Sequence, residues 1–73
     1  MAKPPLLSGR EVVKALQRKG YIQVGQKGSH IKLKHPQTES ILIIPDHKEV
    51  DRWTLKGILK SADISVQEFM DLL

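Results

Sequence analysis

A histidine and two lysines occupy alternate positions in the first half of the chain, directly after a short turn sequence. His30 follows Gly28 and Ser29, and Lys32 and Lys34 come next. The unperturbed pKa of imidazole is about 6.5, so a histidine side chain can give or take a proton near neutral pH. Neighbouring ammonium groups can hold an anion beside it. This pattern indicates acid-base chemistry on a phosphate-containing substrate.

The sequence lacks the motifs of the common hydrolase, NTPase and dehydrogenase families. It has no nucleophile elbow, no phosphate-binding GxxxxGK[ST] loop and no dinucleotide-binding GxGxxG. A zinc site is not expected either, because the sequence has no cysteine and no HExxH helix. His30 and His35 would also point to opposite faces of one strand, so they could not bind the same metal ion from that strand. The acids within residues 46–51 lie beside basic residues, which favours a solvated loop over a magnesium site. We therefore expect neither a metal nor a cofactor.

RNA is a suitable substrate for a histidine flanked by lysines, because it carries its own nucleophile, the ribose 2′-hydroxyl. The protein then needs only to move protons and to stabilise charge on the phosphate. His30 is the predicted acid-base catalyst, and the predicted phosphate contacts are Lys27, Lys32 and Lys34. Two alternatives stay open. A histidine at the junction of a turn and a strand is more often a surface residue or a hydrogen-bonding partner than a catalyst. The domain could also bind RNA without cleaving it. The role of His47, in a loop, is also open.

Positive charge is concentrated in the first half of the chain. Residues 1–35 contain eight lysines and arginines against one acid, whereas residues 36–73 contain four against seven, so the two halves carry +7 and −3. Lysine and arginine side chains that neutralise phosphates gain affinity through counterion release. The asymmetry is typical of a polyanion-binding surface, although lysines also solvate the outer faces of ordinary helices and strands.

The length indicates one small domain over residues 1–73, with residues 1–7 as an extended lead-in. Without cysteine, the core must come from aliphatic residues and from Tyr21, Trp53 and Phe69. Tyr21 and Trp53 could stack on bases, but we expect both to pack in so small a domain. No apolar run approaches the roughly 20 residues that span a bilayer, and no signal-peptide region is evident. The sequence thus predicts a cytoplasmic protein without a membrane partner.

A period of two predicts three strands in the middle of the chain. The first begins at Tyr21, with Ile22 and Val24 toward the core and Tyr21 toward the opposite face. Gly28 allows the positive φ of a hairpin turn, and the second strand then places the histidine and both lysines of the opening pattern on the polar face. The third strand, residues 40–45, contains four consecutive aliphatics, which indicates cover on both faces or an exposed edge that a partner uses.

Three helices are predicted around the strands. Capping boxes at Ser8 and Ser65 begin the first and the last, and Thr54 is the expected cap of the helix between them. The last helix is expected to turn its apolar residues, through Leu73, inward. The resulting order, α-β-β-β-α-α, predicts an α+β domain of two layers, in which a three-stranded antiparallel sheet carries the helices on one face. The other face would be polar and basic.

Several segments of the chain resemble HicA-type toxins, the mRNA interferases of HicA/HicB toxin-antitoxin systems. The most specific is Gln-Lys-Gly-Ser-His at residues 26–30, followed by a basic strand and His35-Pro36. The other matching segments are Ser-Gly-Arg-Glu at 8–11, Ile-Pro-x-His at 44–47, Thr-Leu-x-x-Ile-Leu-Lys at 54–60 and the terminal residues 65–73. The resemblance therefore covers nearly the whole chain.

The resemblance implies a fold similar to a double-stranded-RNA-binding domain, ribosome-independent cleavage of mRNA, growth arrest, and neutralisation by a cognate HicB-type antitoxin that covers the site. His30 takes the position of the family's catalytic histidine, and Gly28 and Ser29 of the motif join the three lysines as predicted RNA-binding residues. The chain departs from the family pattern at Gly25, where a basic residue is common, at Trp53, where glycine is common, and near Asp63, where glycine is usual.

Overall fold

Three helices and three strands follow one another in the predicted order in a computed structural model that describes residues 6–73. They are α1 (Gly9–Arg18), β1 (Ile22–Lys27), β2 (His30–Lys34), β3 (Ile41–Pro45), α2 (Arg52–Ser61) and α3 (Val66–Asp71). The strands form one antiparallel sheet in the order β1-β2-β3, and α1 and α2 pack against one of its faces. The predicted α+β architecture is confirmed.

The lead-in predicted for residues 1–7 lies mostly outside the described residues. At its end, Leu7 forms an isolated antiparallel bridge with Val50, and the Val50 N–H donates to the Leu7 carbonyl at 2.7 Å. This bridge joins the approach to α1 with the approach to α2. Within residues 6–73, no helix has the length and apolar content needed to cross a membrane.

Capping boxes begin α1 and α3, as predicted. The Ser8 hydroxyl accepts from the backbone N–H of Glu11 at 3.1 Å, and the Glu11 carboxylate accepts from the Ser8 N–H at 3.0 Å. Ser65 and Glu68 repeat the arrangement at 3.0 and 3.4 Å. The bond from the Ser8 N–H lowers the pKa of Glu11, and the Lys19 ammonium, 2.9 Å from Glu68, lowers the pKa of Glu68. Lys19 thereby ties the end of α1 to α3.

The cap of α2 differs from the predicted one. Asp51 is the N-cap, and its carboxylate accepts from both the backbone N–H and the hydroxyl of Thr54 at 2.8 Å. A carboxylate at a helix N-terminus also interacts favourably with the helix dipole, which explains why Asp51 rather than Thr54 takes this position. The hydrogen bonds that Thr54 donates hold the pKa of the Asp51 carboxyl below its usual value, and the bond from the backbone N–H has the larger effect.

A single cluster of buried apolar side chains lies between the helices and the sheet. Its largest fully buried members are Phe69, Leu16, Leu33, Ile44, Leu55, Leu59, Val12 and Val50. Every helix contributes to this cluster, as the apolar spacing of the sequence predicts. Leu73 was wrongly predicted to face inward, because α3 ends at Asp71 and Leu73 is half exposed.

The facing at the start of β1 is the reverse of the prediction. Tyr21 is buried, and its hydroxyl donates to the Ser40 hydroxyl at 3.0 Å, whereas Ile22 and Val24 are 50% and 47% exposed. The pairing of β1 with β2 shifts between Gln23 and Gly25, which marks a β-bulge. A bulge adds a residue to one strand, so a simple period of two counted along β1 assigns the wrong faces. Burial of the large Tyr21 ring sets the actual facing.

The sheet surface that faces away from the helices, the outer sheet face, is therefore not uniformly polar. Its members on β1, β2 and β3 are Ile22, Val24, Lys27, His30, Lys32, Lys34, Ile41 and Ile43. Ile41 and Ile43 are 45% and 48% exposed, while Leu42 and Ile44 are buried. Of the two options for the aliphatic run of the third strand, the structure shows an exposed edge strand rather than cover on both faces. A row of basic residues thus runs between two rows of aliphatics.

Candidate functional site

His30 is the first residue of β2 and follows a two-residue turn. Gly28 in that turn has a φ of 58°, a left-handed conformation that glycine adopts without the steric cost of a Cβ. His30 pairs with Lys27 on β1 and with Pro45 on β3, and its side chain is exposed on the outer sheet face. The imidazole therefore lies away from both the apolar core and the helices.

An open depression on the outer sheet face contains His30. Its lining residues are Gly25, Gln26, Lys27, His30, Lys32 and Ile43. The fold thus brings three of the predicted site residues together around one surface hollow. A Cβ at Gly25 would meet no atom within 4 Å, so the hollow is open at this end. We call this hollow the His30 depression.

The other predicted RNA contacts lie around the His30 depression without lining it. Lys34 is on the same face, opposite Ile22 and Ile41. Ser29 holds the turn through its backbone, since its carbonyl accepts from the Asp46 N–H at 2.7 Å. The Gly28 carbonyl accepts from the side-chain amide of Gln26 at 3.1 Å. The recorded contacts of the Gly-Ser pair are therefore with the protein's own backbone and side chains.

Positive charge on the outer sheet face is not neutralised by nearby acids. The ion pairs described within residues 6–73 join Arg10 to Asp46 and Lys19 to Glu68. In the same part of the chain, Lys27, Lys32 and Lys34 have no ion-pair partner. Their ammonium groups are thus available to a phosphate, whose oxygens are strong acceptors of charge-assisted hydrogen bonds.

A polar network that the sequence did not reveal supports the turn before His30. The guanidinium of Arg10 contacts the Asp46 carboxylate at 3.3 Å, and the same carboxylate accepts from the Gln26 amide at 3.1 Å. Gln26 in turn donates to Gly28. The network joins the start of α1, the end of β3 and the hairpin turn. Asp46, for which the sequence favoured a solvated loop over a magnesium site, holds these three elements together.

His35 has a structural role directly after β2. Its Nδ1 accepts from the backbone N–H of Gln37 at 3.2 Å, so the proton resides on Nε2, which donates to the Lys19 carbonyl at 3.3 Å. The ring also meets Tyr21 edge-on, with centroids 5.1 Å apart. All three contacts fix the chain rather than leave the imidazole available to a substrate.

His47 and the neighbouring acids do not join the His30 depression. The His47 side chain is exposed in the loop after β3, and its carbonyl accepts from the Gly9 N–H at 2.9 Å. Asp51 caps α2 and Glu49 is exposed. Among residues 6–73, no group of three or more histidines and acids is placed to hold a metal ion.

Fold and site together define a small α+β domain that presents a basic sheet face with a histidine at its hairpin. The model of the family described as the HicA toxin of bacterial toxin-antitoxin systems matches residues 9–64, and the chain belongs to that family. It is therefore a toxin whose partner is an antitoxin. The matched residues include α1, the whole sheet and α2. No curated protein matches the chain.

Proposed function

We propose that this toxin is a metal-independent endoribonuclease that cleaves mRNA in the cytoplasm, with His30 as its acid-base catalyst. The observation that carries the proposal is the His30 depression, in which an exposed imidazole shares a solvent-open hollow with Lys27 and Lys32. Acid-base catalysis requires a titratable group that the substrate can reach, and phosphate binding requires unpaired cations beside it. Membership of the HicA family supports the same reading.

The chemistry would use the 2′-hydroxyl of RNA as nucleophile. The 2′-oxygen attacks the adjacent phosphorus, the bond from phosphorus to the 5′-oxygen of the next nucleotide breaks, and the products are a 2′,3′-cyclic phosphate and a 5′-hydroxyl. One proton leaves the 2′-hydroxyl and one is delivered to the 5′-oxygen. His30 takes the first proton or supplies the second, while Lys27 and Lys32 stabilise charge on the phosphate oxygens. Lys34 extends the basic row along the strand for a flanking phosphate.

Cleavage in EDTA tests the proposal directly. Purified toxin is incubated with single-stranded RNA, and we expect fragments that end in a 2′,3′-cyclic phosphate. RNA with a single 2′-deoxy nucleotide at the cleaved position should resist cleavage there, because the nucleophile is gone. Dependence on added metal, or equal cleavage of the deoxy position, would contradict this mechanism.

The same preparation distinguishes the alternative of a non-catalytic RNA-binding module. A gel shift with intact RNA and no fragments would support that alternative and remove the enzyme. In either case, Lys32→Glu and Lys34→Glu should lower RNA affinity and flatten its salt dependence, since each removes a phosphate contact. Unaltered affinity across a salt series would exclude the outer sheet face as the RNA surface.

We further propose that the antitoxin, of the HicB type, inhibits the toxin by covering the outer sheet face. Ile22, Val24, Ile41 and Ile43 are each about half exposed around the basic row. Several exposed aliphatic side chains on one face are typical of an interaction site, and the lysines between them favour acidic residues on the partner.

Ile41→Glu should weaken the complex with the antitoxin about tenfold or more, because it places a charge in the apolar part of the contact. Affinity is measured by calorimetry with the purified antitoxin. Leu73→Glu is the matched control, since Leu73 is also 50% exposed but lies at the end of the chain. If both variants bind like the unmodified toxin, the antitoxin uses another surface.

A further inference from the structure

The most exposed large apolar side chain in residues 6–73 is that of Trp53. Its side chain is 83% exposed, although the size of the domain predicts that it packs. Tyr21 and Phe69, the other two aromatic residues, are both buried in the core. The fold is therefore complete without the indole, which lies on the solvent side of α2.

Trp53 lies at the edge of a second hollow on the surface. The lining residues of this Trp53 depression are Trp53, Lys56, Gly57 and Lys60. Spacings of three, four and seven residues put all four on one face of α2. None of them lines the His30 depression.

The surface beside the indole is open and positively charged. A Cβ at Gly57 would meet no atom within 4 Å, so the surface of the hollow at Gly57 is open. Lys56 and Lys60 are exposed, and neither has an ion-pair partner within the described part of the chain. No acidic side chain lines the hollow. An exposed aromatic ring with two free ammonium groups in the same hollow matches the chemistry of a nucleotide.

We propose that Trp53, Lys56 and Lys60 form a second binding site for single-stranded RNA, in which an unpaired base stacks on the indole and the lysines contact flanking phosphates. Stacking on an aromatic side chain tolerates any base, because every base has a π-face. The proposal rests on the proposed function only in taking RNA as the ligand. The role of this second site is to bind the RNA strand outside the His30 depression, where the chemical step takes place.

The alternative occupant, a protein, fits the surroundings of the indole less well. Tryptophan is common at the centre of protein interfaces, where well-packed neighbours exclude water from it. Here its neighbours in the hollow are two lysines and a glycine. Desolvating two ammonium groups beside an apolar contact costs free energy, whereas a nucleotide offers them phosphate oxygens.

Trp53 is the sole tryptophan of the chain, so its fluorescence reports directly on the site. The unmodified toxin is titrated with a short single-stranded 2′-O-methyl RNA, which lacks the nucleophile and stays intact. Binding is followed in parallel by the anisotropy of a label on the RNA. We expect quenching of the indole that saturates with the same dissociation constant. Trp53→Ala should weaken binding roughly tenfold and Trp53→Phe much less, as expected for one stacked base.

The lysines are tested by the salt dependence of the same titration. Lys56→Ala and Lys60→Ala should each lower the slope of log affinity against log salt by about 0.7. Lys14→Ala on α1 is the matched control, because Lys14 is exposed and lies outside both depressions. Its slope should equal that of the unmodified toxin.

Two results would overturn the site. In the first, labelled RNA binds while Trp53 fluorescence is unchanged and Trp53→Ala keeps full affinity. In the second, Trp53→Ala loses affinity for the antitoxin and not for RNA, which assigns the surface to a protein. Failure of the proposed catalysis looks different: RNA then quenches Trp53 but is never cleaved. If both proposals hold, Trp53→Ala raises KM for RNA cleavage and leaves kcat unchanged.

Discussion

His30→Ala is expected to abolish measurable RNA cleavage while leaving the fold intact. General acid-base catalysis by one side chain contributes about 10²–10⁴-fold to a rate, and alanine offers no titratable group. The imidazole is exposed on the outer sheet face, and no hydrogen bond from it is described, so its removal should not disturb the core. Cleavage is measured in EDTA at saturating RNA, with far-UV circular dichroism as the check on folding.

His35→Ala is the informative comparison for this prediction. It removes the hydrogen bonds to Gln37 and Lys19, so it should lower the free energy of unfolding by roughly 1 kcal/mol or more. Below its melting temperature it should still cleave RNA. The two variants thus separate a catalytic imidazole from a structural one. Toxicity or cleavage that survives His30→Ala would remove the catalytic assignment.

The local signals of the sequence predicted most of the fold. Capping boxes at Ser8 and Ser65 and the glycine of the hairpin turn depend on residues that are at most a few positions apart. A hydrogen bond within one turn has the same geometry in any fold, so such signals can be read without knowledge of tertiary structure. They correctly gave the order of helices and strands.

The errors arose where a tertiary choice overrides a local one. At the start of β1, either Tyr21 or Ile22 can face the core, and the bulge after Gln23 together with the bond from Tyr21 to Ser40 decides it. The cap of α2 is an exception, because Thr54 was predicted and Asp51, three residues before it, caps the helix through a local hydrogen bond. Trp53 was expected to pack, but whether the core has room for a third aromatic depends on the packing of the whole domain.

Part of the candidate site was predictable because it depends on residues that are close together in the sequence. His30 and Lys32 share a face because they are two residues apart in one strand, and a tight hairpin brings Lys27 opposite His30. The partners of Asp46 are 36 and 20 residues away along the chain, at Arg10 and Gln26. No spacing rule reaches that far, so the network that supports the turn is visible only in the folded chain.

Gly9→Ala is expected to destabilise the toxin and to impair cleavage. Gly9 is buried at the start of α1, and a Cβ there would overlap the carbonyl oxygen of Pro45 and lie 2.9 Å from its carbonyl carbon. Relief requires a backbone shift, and overpacking of this kind costs about 1–3 kcal/mol. That is a large share of the stability of a small domain. Urea denaturation measures it.

Gly57→Ala is the matched control for stability. Its Cβ would meet nothing within 4 Å, and alanine is the better helix former, so we expect the free energy of unfolding to rise by up to about 1 kcal/mol. If Gly9→Ala unfolds at the same urea concentration as the unmodified toxin, the close approach of Pro45 does not exclude a side chain at position 9.

The effect of Gly9→Ala on cleavage follows from what Pro45 touches. Pro45 pairs with His30 across the sheet, and the N–H of the next residue, Asp46, holds the turn at Ser29. Asp46→Asn tests this connection with a smaller structural change than Gly9→Ala. It removes the ion pair with Arg10 and keeps a side-chain oxygen that can accept from Gln26. An ion pair this exposed contributes little to stability. We therefore expect a lower kcat with KM and the urea midpoint unchanged; a fall in stability without any change in kcat would make the network purely structural.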